Sequence, residues 1–218
     1  MSQASRKAPV RYLRAPVPLH FPESATVPET KTHLYLRSFL FHLLQYALGK
    51  AHAVGSDQFV YWVSNDTGRC VAPDVFVKLG TPDSQFGSWK TWERGTLDLA
   101  VEFASKRDGI AWEEKLARYH ELGVGELVRF DAERPEGERL CVWDRVDGDF
   151  VERQVEGDST PCLTLDCTWV VMPVGPEPVG LRLLDADGAL VLNGEETERA
   201  RADALEEELR RLRAERGA

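Results

Sequence analysis

"LDLAVEFASKRDGIAWEEKLARYHELGVGELVRFD", residues 97–131, decides the fold. Its first part, "LDLAVEF" (97–103), is rich in branched and aromatic residues and predicts a buried strand. A helix is predicted over 108–122, with Asp108 as its N-cap and Gly123 as its stop. "GELVRFD" (125–131) then reads as a second strand. Strand, helix, strand at this spacing implies a crossover connection. Glu102 lies inside the first strand and Lys115 inside the helix, and both need a physical reason.

The flanking segments extend the pattern. Residues 28–49, "PETKTHLYLRSFLFHLLQYALG", predict a helix, with Pro28 in the first turn and Gly49 at the stop. Leu36, Leu40, Leu43, Leu44 and Ala47 give it an apolar face. "QFVYWVSN" (58–65) and "CVAPDVFVKL" (70–79) flank the turn signal "DTGR" and predict a hairpin. Residues 80–96 have loop composition. Further strands are expected within 139–156, around the turn "VDGD", and within 162–172. A hairpin is expected over 180–192 around "DADG". The order helix, three strands, helix, strand predicts a mixed α/β sheet.

This divides the chain into an arm (1–25), a main domain (26–176), a hairpin extension (177–194) and a charged helix (195–218). The arm is basic and proline-rich and lacks an apolar signal core, which leads us to expect a cytoplasmic protein. No apolar run approaches the length of about 18 residues that a membrane helix needs. The chain is 43% hydrophobic and 29% charged, as soluble globular proteins are. A formal charge of −9 argues against coating nucleic acid by bulk electrostatics, but not against a local basic groove. The four cysteines form no CxxC pair of the zinc-site type and are expected to be reduced thiols. In the C-terminal helix, Ala202, Leu205, Leu209 and Leu212 follow the three-four spacing of a coiled-coil seam, so a homodimer through this helix is expected.

Alternation puts Asp98, Ala100 and Glu102 on one face of strand 97–103. A buried, unpaired carboxylate is costly. Glu102 must therefore lie at an open strand end, meet a cation, or bind a metal. Asp74, after Pro73, has a similar setting. Two acids on neighbouring strands can converge on one hard cation, and oxygen ligands favour Mg²⁺ or Mn²⁺. Lys115 can reach the same place, or can be part of a solvated helix face. Glu29 and His33, one turn apart on the first helix, can add a side chain to such a site. Ser105 and Asp108 fit a turn and a cap, and Tyr119 fits packing. Trp89, Lys90, Trp92 and Arg94 mix aromatics with positive charge, as a DNA-contacting loop does. They fit a loop folded onto the core equally well.

Together, "PD" at 73–74, "KTWERG" at 90–95, "VEFAS" at 101–105, Asp108, Lys115, Tyr119 and "GVGELVRFD" at 123–131 resemble the PD-(D/E)XK nuclease superfamily. Within it they resemble the Uma-two-type putative restriction endonucleases. The resemblance implies a restriction-endonuclease-like core with Asp74 and Glu102 as metal ligands, Mg²⁺ or Mn²⁺ as cofactor, and DNA as substrate. Position 104, where the motif's lysine would stand, is alanine, and Lys115 matches the lysine that this family carries on the next helix. Glu126 matches a family glutamate, followed here by Leu127 and Val128 instead of an aromatic pair. The implied activity is metal-dependent hydrolysis of phosphodiester bonds. The rival reading is an inactive nuclease-fold module that binds DNA or protein partners through its C-terminal helix. No GxSxG, HExxH or GxxxxGK[ST] motif points elsewhere.

Overall fold

Leucines at 36, 40, 43 and 44 recur at helical spacing and are all buried, which fixes one helix against a sheet. The structure is a computed structural model and describes residues 30–104 and 110–217. The first helix, α1, spans Lys31–Leu48, and the Thr30 side chain caps it by accepting from the His33 N–H. Pro28 lies outside the described residues.

Strands β1 (Ala53–Gly55), β2 (Val60–Tyr61), β3 (Cys70–Val71), β4 (Val75–Lys78) and β5 (Trp89–Lys90) come next, then a single helical turn, α2 (Thr91–Arg94). The decisive stretch gives β6 (Leu99–Phe103), α3 (Trp112–Leu122) and β7 (Glu126–Phe130). After it come β8 (Leu140–Val146), β9 (Asp149–Glu152), β10 (Ser159–Cys162), β11 (Cys167–Val174), β12 (Glu177–Leu184) and the long helix α4 (Gly194–Gly217).

The main sheet has six strands in the order β1-β4-β6-β7-β8-β9. Only β6 and β7 are parallel, as the crossover through α3 requires. The sheet is therefore mixed, as the element order predicts. One face packs Val75, Leu99, Val101 and Val128 against the leucines of α1, with Trp169 and Leu181 from a second sheet, β10-β11-β12. The other face packs Phe76, Ala100 and Leu127 against Tyr119 and Leu122 of α3. Gly123 ends α3 in the left-handed conformation, at φ 86°.

Three expectations need correction, and one strand escapes the sequence reading. The segment 70–79 is two strands, because Pro73 has no N–H for a ladder. β3 pairs with β2 in a small sheet, while β4 joins the main one. The main sheet's edge, β1, escapes a pattern reading because "AVG" is short. A Cβ at Gly55 would fall 2.1 Å from the Phe76 ring, so the close approach of β1 to β4 needs glycine. The described part of α3 begins at Trp112 with Ala111 as N-cap residue, and Asp108 lies outside the described residues. The hairpin around "DADG" is reduced to a bridge between Leu184 and Leu190, and β12 pairs instead with β11.

At the start of α4, Asn193 and Glu196 cap each other's backbone N–H groups, and Glu196 takes both nitrogens of the buried Arg182. Beyond that anchor the helix is exposed, with Leu205, Leu209 and Leu212 at 53%, 51% and 40%.

Candidate active site

Pro73 ends β3 and delivers Asp74 to the position just before Val75, which faces Val101 in the β4–β6 ladder. Asp74 is therefore the neighbour of Glu102 across two antiparallel strands. The Asp74 carboxylate accepts the Phe103 N–H at 2.8 Å through Oδ2 and meets His33 Nε2 at 2.9 Å through Oδ1. Behind it, Ser56 Oγ donates to the Asp74 carbonyl at 2.7 Å, and Arg37 donates to Ser56 Oγ at 2.9 Å. Sequence reasoning misses that support.

Glu102 is 2% exposed, so the open strand end is ruled out. It points to the α3 face with Ala100, as alternation requires. Trp112, Lys115, Tyr119 and Leu122 form one stripe of α3 facing the sheet. From it, Lys115 Nζ reaches Glu102 Oε2 at 2.5 Å, and Tyr119 donates its hydroxyl to Oε1. Burial pushes the Glu102 carboxyl up from 4.5 to about 8, against the pull of Lys115 and helped by the negative charge of Asp74. In the metal-free protein the carboxyl thus keeps its proton at neutral pH.

The structure brings Asp74, Glu102, Lys115, Tyr119 and His33 together. It leaves others apart. Glu126 is buried but lies three positions from the Glu102 level of the parallel ladder, about 10 Å along the strands. It points to the opposite face, where it accepts from Thr164 N–H and Oγ1 and pairs with Arg153 at 3.3 Å. Its observed role is to tie the second sheet to the first. Trp89 is fully buried and donates to the Gly95 carbonyl at 2.9 Å. Arg94 lies over the Phe86 and Trp89 rings, and Lys90 pairs with Glu93. This loop is closed onto the core, with Trp92 as its exposed aromatic. Glu29, Ser105 and Asp108 lie outside the described residues.

A groove of about 690 Å³ opens beside His33, lined by Phe103, Ala104, Arg129, Asp131 and Glu177 among others. Sequence reasoning also misses Arg129, although a charge in the apolar strand "ELVRF" is a visible signal. It faces Glu102 in the β6–β7 ladder, and its guanidinium lies 4.6 Å from the centre of the Trp112 ring.

Among the described residues, no group of three or more His, Cys, Asp and Glu side chains is clustered as a ready metal site. The nearest donors are the carboxylates of Asp74 and Glu102, and oxygen donors fit a hard divalent cation better than a soft one.

Residues 24–174 match the Uma2 family, described as putative restriction endonucleases. The chain belongs to that family. A solved structure, of a putative nuclease belonging to DUF820 from Anabaena variabilis, is 11% identical with a TM-score of 0.42. The match covers 69% of this chain and 75% of that one. No curated protein matches this Uma2 chain. Among its described residues, no helix is long and apolar enough to cross a membrane.

Proposed function

We propose that this chain is a metal-dependent endonuclease that hydrolyses phosphodiester bonds in DNA. The observation that carries the reading is the pair Asp74 and Glu102 on adjacent strands, with Lys115 on Glu102. Asp74 and Glu102 would hold Mg²⁺ or Mn²⁺. When bound, such an ion supplies a water acidic enough to attack phosphorus near neutral pH and neutralises charge that develops on the phosphate. The Phe103 N–H and His33 keep Asp74 aimed at the site. With an ion held there, Glu102 would serve as a carboxylate, its proton released to solvent. Lys115 would orient the attacking water or stabilise the charged phosphoryl oxygens. Tyr119 holds Oε1 so that the carboxylate keeps its rotamer.

The same reading includes a homodimer through α4, whose three seam leucines are exposed. It includes a cytoplasmic location, with which four free thiols are compatible. The rival reading, an inactive module, draws support from Ala104 and from the fact that every oxygen of both carboxylates already meets a protein group.

The test is incubation with single-stranded, duplex and branched DNA in Mg²⁺, Mn²⁺ or EDTA. Cleavage with either cation, lost in EDTA and in Glu102→Ala, is expected. No cleavage of any substrate selects the inactive module. Undiminished cleavage by Glu102→Ala refutes the site.

A further inference from the structure

Arg129 is the one shielded arginine among the described residues whose guanidinium ends on no protein oxygen. Arg37, Arg139, Arg153 and Arg182, for comparison, end on hydroxyl or carboxylate oxygens at 2.8–3.0 Å or closer. The Nε of Arg129 is buried and has no hydrogen-bond partner. An arginine left like this forgoes charge-assisted bonds that usually offset its desolvation. Its contact with the Trp112 ring offsets part of that cost and fixes the direction of the planar group.

The neighbouring acids are already engaged. Asp131 accepts the Glu133 N–H and lies 3.8 Å from Arg134. Glu177 accepts from Thr32. Glu102, directly across the ladder on the same face, is held by Lys115 and Tyr119. Adjacent strands are about 4.8 Å apart, so the backbone of Arg129 lies one strand spacing from that of Glu102. The result is a positioned guanidinium with donors to spare, on the strand next to Glu102 and on the groove that runs past His33.

We propose that Arg129, held by Trp112, binds a nucleic-acid backbone phosphate next to the cleavage site. A guanidinium fork matches two phosphate oxygens. This inference rests on the nuclease reading of the Asp74–Glu102 site.

The test measures affinity rather than cleavage. Binding of a fluorescent duplex to the full chain is followed in EDTA at several salt concentrations, for wild type, Arg129→Gln, Arg129→Lys and Trp112→Leu. Circular dichroism and thermal melting check that each variant is folded. Arg129→Gln is expected to weaken binding about tenfold and to reduce the slope of log K against log salt by about 0.9, one phosphate contact. Arg129→Lys should keep the slope, because the charge remains. Trp112→Leu should weaken binding with the slope intact, because only the positioning is lost. Inorganic phosphate should compete more strongly with wild type than with Arg129→Gln. If phosphate competes but the duplex slope is the same in both, the residue is a free-phosphate site and the proposal is wrong. If wild type binds and cuts DNA and Arg129→Gln matches its affinity and slope, this inference alone fails. A wild type that neither binds nor cuts DNA overturns both readings. Should Arg129→Gln not fold, Arg129→Lys and Trp112→Leu decide, and two variants indistinguishable from wild type in affinity overturn the proposal.

Discussion

Replacing Glu102 by glutamine should change how the metal-free protein responds to pH. Glutamine keeps the shape and an oxygen for the Tyr119 hydroxyl, but it cannot ionise. In the unfolded chain Glu102 loses its proton near 4.5, and in the folded protein it keeps it up to about 8. Between those values the folded state binds the extra proton, so a rise in pH favours unfolding. The stabilising contribution is full below about 4.5 and has gone once pH passes the folded value. Its slope is at most roughly 1.4 kcal/mol per pH unit for one proton. Over two units that is a large share of a typical stability of about 5–15 kcal/mol. Urea unfolding in EDTA from about pH 5 to about pH 9 would follow the difference between wild type and Glu102→Gln, in which all other titrations cancel. Wild type should lose stability relative to the variant as pH rises. Mn²⁺ added at the alkaline end should restore wild type and leave the variant unchanged. Parallel stability curves would refute the argument, since Glu102 would then ionise as freely in the fold as outside it.

Lys115→Met should reduce cleavage roughly a hundredfold or more and leave Mn²⁺ affinity within a few-fold, read by single-turnover rates beside calorimetry. Glu126→Ala should cost about 2–4 kcal/mol of stability, because Thr164 and Arg153 lose a buried acceptor. Protein that remains folded should cut DNA at the wild-type rate, as urea unfolding and the same assay would check. A chain ending after Ala200 keeps the Arg182–Glu196 anchor and lacks the exposed leucines. Light scattering should find the full chain dimeric and the shortened one monomeric.

Much of the site is legible in the sequence. Alternation places Glu102 on the α3 face, and the spacing of Lys115 and Tyr119, one turn apart, puts both on it. Pro73 marks where Asp74 enters. The features that escape a sequence reading depend on partners distant along the chain. β1 is a three-residue strand whose place is set by Gly55 against Phe76, a contact no local pattern carries. β12 pairs across a Gly-Pro turn that reads as a linker, so local pattern assigns the strand to the wrong hairpin. Glu126 fits a family motif in sequence, yet strand periodicity sends it to the opposite face from Glu102. The aromatic and basic loop at 89–94 has the composition of a DNA contact. Packing against the Phe76 and Phe86 rings takes Trp89 out of reach.

The alanine at 104 does not by itself remove the site's cation. Position 104 shares the face of Glu102 by alternation, so a lysine there would extend over the same carboxylate. Here Lys115 reaches Oε2 from the helix opposite. The consequence is mechanical. A lysine on β6 would move with the strand that carries Glu102, whereas Lys115 moves with α3. The register of α3 is set by Leu122 in the core below, by Tyr119 on Oε1, and by Trp112 under Arg129. One residue of rotation turns a helix by about 100° and would take Lys115 out of the site. Lys115 and Arg129 therefore both depend on one stripe of α3: Lys115 belongs to it and Arg129 rests on it. Trp112→Leu should then affect Lys115 as well, lowering the cleavage rate at saturating DNA in addition to weakening binding. A loss confined to binding would show that Tyr119 and Leu122 alone hold the helix in register.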